Sequence, residues 1–158
     1  MSTARLGRQM VVALALAAAP VLTGCAHFVL LHDPLNASEH NDLGVAYESN
    51  GQRALAASEY RKSLRLDPHD ARARVNLGNI EAANGRWRAA ENCYRRALRD
   101  SATDLDAMNN LAAALLAQGR RLEEARELAG RAVSASGSAG DRDSVYRATL
   151  AEASSRVR

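Results

Sequence analysis

Leucine returns at 43, 77 and 111 and glycine at 51, 85 and 119, so the same residue types recur every 34 positions. Tyr60 and Tyr94 keep that interval, as do Ala56 and Ala90. A period of this length is one supersecondary unit copied along the chain. It constrains the fold strongly, because each copy must offer the same faces to its neighbours and cannot bury its apolar side alone. About three copies are the minimum for an independent array, and this chain has three.

The copies begin at Ala37, Ala71 and Leu105 and occupy 37–70, 71–104 and 105–133. Each reads as two helices joined at a glycine. Gly51, Gly85 and Gly119 supply the left-handed backbone that ends one helix before the next begins. Asn36 and Glu39 have the spacing of a capping box at the first helix start. In the second helices Ala56 lies four residues before Tyr60, on one face, so a small residue admits the neighbouring helix and a bulky one fills the space beside it. Aromatics at 4% and only three prolines suit helix better than strand or disorder.

These features resemble the tetratricopeptide repeat, which places Leu-Gly and then an aromatic in its first helix, Gly at the turn, Ala-aromatic-Ala in the second, and Pro at the close. The first copy carries Leu43, Gly44, Tyr47, Gly51, Ala56, Tyr60 and Pro68, with Ser63 for the last Ala. The second carries Leu77, Gly78, Gly85, Ala90, Tyr94 and Ala97, with Glu81 in the aromatic place and Ala102 in that of Pro. The third carries Leu111, Ala112, Leu115, Gly119, Ala125 and Ala132, with one extra residue in the turn at Arg120 and Arg121. The resemblance covers residues 37–133 and implies an all-α, right-handed α-solenoid of three helix-turn-helix repeats. Residues 134–158 read as a small, polar connector through Gly140 and then a capping helix striped by Tyr146, Leu150, Ala153 and Val157.

Residues 1–24 have the parts of an export signal: Arg5 and Arg8, an apolar run over 10–22, then small residues. The run is too short to cross a bilayer core, which takes about 20 residues. Leu22, Thr23, Gly24 and Cys25 resemble the lipobox of bacterial prolipoproteins. That likeness implies lipid on Cys25, cleavage before it, and a linker over 25–36. Ala26 in place of Asp resembles an outer-membrane destination facing the periplasm. Competing readings are an uncleaved anchor over 10–31 and a plain secretory signal. The apolar residues Phe28, Val29, Leu30 and Leu31 either pack beneath the first repeat, the preferred reading because Asp33 and Pro34 turn the chain into it, or dip into the membrane interface.

Beyond the leader the chain keeps 19 basic residues against 18 acidic ones. A near-neutral chain without a basic stripe interleaved with aromatics does not point to nucleic acid. No phosphate-binding loop, His-Glu-x-x-His or Gly-x-Ser-x-Gly motif is present, so an enzyme is not expected. His27, His32, His40 and His69 lack ligand-like spacing and read as exposed, with no metal or cofactor expected. Cys93 reads as a small buried apolar residue.

The resemblance implies a concave groove lined by the first helices, accepting a peptide or a partner helix. Its residues would be Asn41, Val45 and Glu48 from the first copy and Arg72, Val75, Asn76 and Asn79 from the second. The third would add Asp106, Asn109, Asn110, Ala113 and Leu116. Asn76, Asn79, Asn109 and Asn110 offer amide donors and acceptors to a peptide backbone. The carboxylate clamp of chaperone-binding members maps onto Asn41, Val45, Asn76, Asp106 and Asn110, and only Asn76 agrees with it. A C-terminal carboxylate is therefore not the expected ligand. An end-to-end stack with a second copy stays open. Two roles follow: a lipoprotein scaffold for an envelope machine such as secretion, pilus or exopolysaccharide export, or an accessory subunit of an envelope enzyme. The second rests on His32, Asp33, Pro34 and Leu35, which resemble the lead-in to repeats in some bacterial papain-like peptidases.

Overall fold

Three side-chain acceptors set 34 residues apart, Asn36, Asp70 and Asp104, start three helices. In this computed structural model, which describes residues 33–137 and 142–157, they cap α1 (Ala37–Ser49), α3 (Ala71–Ala83) and α5 (Leu105–Ala117). The capping box is complete: Glu39 N–H donates to Asn36 Oδ1 at 3.0 Å, and Asn36 N–H to Glu39 Oε2 at 2.8 Å. Asp70 and Asp104 accept from Ala73 N–H at 3.0 Å and Ala107 N–H at 2.9 Å.

The partner helices α2 (Arg53–Leu66), α4 (Trp87–Asp100) and α6 (Leu122–Ser136) have no side-chain cap and depend on the preceding turn. Gly51, Gly85 and Gly119 stand at φ 73°, 71° and 61°. Each lets the next N–H reach back five residues, from Gln52 to Tyr47 O, Arg86 to Glu81 O and Arg120 to Leu115 O. The extra residue of the third turn is absorbed at Arg121, which takes the left-handed conformation at φ 49°.

A seventh helix, α7 (Asp143–Arg156), completes the described elements, which all lie in the compact unit Pro34–Arg158. Two helix bounds differ from the sequence reading. α6 runs through Ser136, into the stretch read as connector, and α7 begins at Asp143 rather than Asp141. Residues 1–32 lie outside the described part, and with them the segment expected to be a leader, Cys25 and the apolar residues 28–31.

Each first helix packs closely on the first helix of the next repeat, α1 to α3, α3 to α5 and α5 to α7, while the backbones of α2, α4 and α6 stay farther apart, α4 and α6 being bridged by the long side chains of Arg95 and Glu124. The stack therefore curves towards the first helices, and the whole is an all-α helical-repeat solenoid. α7 stands where the first helix of a fourth repeat would be.

Two clusters make the core. Ala56, Ala57, Tyr60 and Ile80 join the first repeat to the second. A larger one runs from Val75 and Tyr94 through Leu111 and Leu115 to Tyr146 and Ala153 on α7. Tyr60 and Tyr94 fit because glycines face them: a β-carbon at Gly44 would fall 2.5 Å from Tyr60 Cε1, and one at Gly78 would fall 2.6 Å from Tyr94 Cε1. The third repeat changes both partners, with Ala112 and Ala129 wholly buried at the equivalent places.

Several residues depart from expectation for electrostatic reasons. His40, expected to be exposed, is 1% exposed, and its Nδ1 lies 2.7 Å from Glu59 Oε2. Lys62 also reaches that carboxylate, at 3.0 Å. Glu81, in the aromatic place, is buried because Arg61 and Arg86 both donate to it. Cys93 is half-buried, and burial raises its thiol pKa, which disfavours the thiolate a nucleophile needs. No helix among the described residues is long and apolar enough to cross a membrane.

Candidate peptide-binding groove

The inner wall is formed by α1, α3, α5 and α7, and its polar side chains bond mainly to one another. Asn76 Nδ2 donates to Asn41 Oδ1 at 3.0 Å, linking α3 to α1. Asn110 Nδ2 donates to Asn79 Oδ1 at 2.9 Å, linking α5 to α3. Asparagine suits this role because a single short amide can accept from one helix and donate to another.

Three tyrosine hydroxyls reach the same side from within the core. Tyr60 donates to Glu48 Oε2 at 2.8 Å, Tyr94 to Asn79 Oδ1 at 2.9 Å, and Tyr146 to Asp106 Oδ1 at 2.7 Å. Burial raises all three phenol pKa values, and Glu48 and Asp106 raise those of Tyr60 and Tyr146 further. The hydroxyls therefore remain donors at neutral pH. Arg142 also pairs with Asp106, so α7 engages the third repeat's carboxylate. At the other end of that contact, Arg156 Nη1 donates to Leu116 O at 2.9 Å.

Four residues assigned to the groove are instead packed inside. Asn41 is 0% exposed and held by Asn76, Val75 joins the core at 7%, and Leu116 is 2% exposed. Asn109 is 4% exposed, and its Oδ1 has no hydrogen-bond partner among the described residues. They fail as contact residues because each lies on the flank where one first helix meets the next.

The others stay accessible to different degrees. Val45 and Ala113 are exposed, and Glu48, Asn76, Asn79, Asp106 and Asn110 are partly so. Arg72 is exposed and spans to α1, reaching Ser38 Oγ at 3.2 Å and Asp42 Oδ1 at 3.3 Å. Asn76 Oδ1 and Asn79 Nδ2 have no partner among the described residues, so one acceptor and one donor remain for a ligand. The sequence reading missed Ser38, Asp42, Arg142 and Tyr146, whose only signal was spacing relative to a neighbouring repeat.

No group of three or more His, Cys, Asp or Glu side chains suited to a metal comes together among the described residues. The wall can offer hydrogen bonds, a carboxylate, a guanidinium and two small apolar patches, which serves recognition.

The tetratricopeptide repeat profile matches residues 41–87 and 77–140. The chain belongs to the tetratricopeptide repeat family. No curated protein is a detectable sequence match. Solved tetratricopeptide structures share the fold at low identity. The first such domain of Spaghetti, bound to the HSP90 peptide SRMEEVD, superposes with a TM-score of 0.69 at 20% identity, covering 77% of this chain and 92% of that one. The TPR2B domain of yeast Sti1, in complex with pHsp70, gives 0.68 at 20% identity over 76% and 97%. The type III secretion translocator chaperone SycD of Yersinia enterocolitica gives 0.67 at 18% identity over 76% and 82%.

Proposed function

We propose that this tetratricopeptide repeat protein is a non-enzymatic binding scaffold whose inner wall accepts an extended peptide or a helix of a partner protein. One observation carries the reading. Asn76 and Asn79 keep an unfilled acceptor and donor on the wall, between the exposed apolar positions Val45 and Ala113. Amide pairs can recognise a backbone whatever its sequence, and small apolar neighbours let it approach. Replacing Val45 and Ala113 together by Arg fills the groove without touching the core. Recovery of a partner from solubilised membranes should then be lost while helicity is retained; undiminished recovery would move the interface elsewhere.

The same proposal places the scaffold at an envelope membrane, on lipid attached to Cys25, facing the periplasm from the outer membrane. The four residues ending at Cys25 and the short apolar run before them support this. In that setting the scaffold serves assembly of an envelope machine such as secretion, pilus or exopolysaccharide export. Mass spectrometry of the protein from membranes should find the chain beginning at Cys25 with fatty acids attached. An unmodified chain retaining residues 1–24 would refute the anchor.

A second reading, an accessory subunit for an envelope enzyme such as a papain-like peptidase, is favoured by the lead-in His32, Asp33, Pro34 and Leu35. Co-purification of a peptidase rather than a secretin or pilin would select it.

A further inference from the structure

The three turns joining first to second helices lie side by side along one edge of the array, and that edge is basic. Two hollows open on it. One, of about 530 Å³, lies between the second and third turns and is lined by Arg86, Trp87, Arg88, Gln118 and Arg120 among others. The other, of about 750 Å³, lies between the first and second turns, with Arg53, Leu55, Arg61 and Asn84 beside the shared Arg86. No carboxylate lines either hollow, although Glu81 pairs with Arg61 and Arg86 and Glu91 accepts from Gln118, so the uncompensated charge rests on Arg53, Arg88 and Arg120. Arg53 and Arg88 have no ion-pair partner among the described residues. Leu55 and Trp87, 48% and 36% exposed, are two of the largest apolar side chains left in solvent.

The opposite edge, where one repeat leads to the next, is mixed, with Asp67, Asp70, Asp100 and Asp104 beside Arg65, Arg74 and Arg99, and Asp100 paired with Arg74. With 19 basic and 18 acidic residues beyond the leader, the positive edge arises from placement rather than from a net excess. Guanidinium groups spaced around an indole match a ligand that brings carboxylates and one bulky apolar group together. The exposed amide of Asn84 can hold the backbone of such a ligand, whereas that of Gln118 is engaged by Glu91, Ala114 O and Arg120. A flat lipid surface would meet the turn tips and leave the hollows empty.

We propose that this edge docks an acidic segment of a partner protein, seating a large apolar side chain on Trp87 and its carboxylates on Arg53, Arg88 and Arg120. The site is separate from the inner wall, so the scaffold can hold two partner segments at once. Charge complementarity of this kind speeds encounter and weakens with salt.

Trp87 is the only tryptophan, so its emission reports this site alone. The full chain is titrated with a short synthetic peptide of Asp and Glu around a central Phe. A saturable, salt-sensitive change in emission is expected, weakened about tenfold by Arg88→Ser with Arg120→Ser. Val45→Arg with Ala113→Arg should leave it unchanged. The single exchanges, with circular dichroism as a control, keep the test decisive should the arginine pair unfold. No emission change, equal binding of a peptide with Lys in place of its acids, or unchanged affinity in the arginine variants would overturn the proposal. A response to phosphatidylglycerol vesicles without one to the peptide would overturn it in favour of a membrane contact.

Discussion

The ring of Tyr60 occupies the space that a β-carbon on residue 44 would need, with Cε1 only 2.5 Å from that position. Gly44 is thus a packing requirement of the first repeat. Gly44→Ala must push apart α1 and α2 or force the ring from its rotamer, at about 1–3 kcal/mol. Gly78→Ala should cost a similar amount against Tyr94. Urea denaturation of both variants checks this, and wild-type stability in either would show that the helix pair yields more easily than the contact implies.

Arg95 forms two parallel bonds with Glu124, at 2.6 and 3.0 Å, tying the second helix of one repeat to that of the next. The bond from Arg95 holds the Glu124 carboxyl below its ordinary value of 4.5. The folded state therefore gains from this pair fully above the ordinary value and loses the gain as pH falls through the folded one. Glu124 is about one-third exposed, so the gain is about 1 kcal/mol or less. Glu124→Gln should be less stable than wild type near about pH 7, and the difference should shrink as the pH falls below the ordinary carboxyl value, measured by denaturant melts at each pH.

Asn109 occupies the position that Val75 fills one repeat earlier, yet it is buried with an unpaired oxygen. Its amide donates only a long bond, 3.4 Å, to Asn110 Oδ1. An unsatisfied buried acceptor costs about 1–3 kcal/mol, so Asn109→Val should raise the melting temperature. A lowered melting temperature would mean that the amide has a partner in solution.

Among the first helices, α1 has the least apolar burial. It buries His40, Asn41 and Gly44 and no large apolar side chain, whereas α5 buries Met108, Leu111, Leu115 and Leu116. Local opening follows the density of apolar contacts. Amide hydrogens of α1 and α2 should exchange before those of α5 and α6, and uniform protection would contradict this ranking.

Periodicity made the architecture readable because every repeat solves the same local problem. The turn glycines, the box at Asn36 and the small-next-to-large pairing all follow from contacts within one copy. Contacts between copies were not readable in the same way. Asp70 and Asp104 keep the interval of Asn36 but change residue type, so their capping role was passed over. The burial of His40 depends on Glu59, 19 residues away on another helix. The four asparagines read as a free ligand-binding set are partly spent on inter-repeat bonds, because the flank of one first helix sets how it meets the next. Glu81 stood out as a departure, but nothing local indicated that Arg61 and Arg86 would converge on it. Trp87 carried one signal, an aromatic between two arginines after a turn glycine, and its place beside Arg120 required the third repeat.

The most direct test of the inner wall as a recognition surface is site-specific photo-crosslinking in intact cells. A photoreactive residue at Ala113 or Val45 should capture one partner protein, and the same residue at Ser58 or Arg96, exposed on the second helices, should not. Equal capture from both faces, or capture from the second helices alone, would contradict the account.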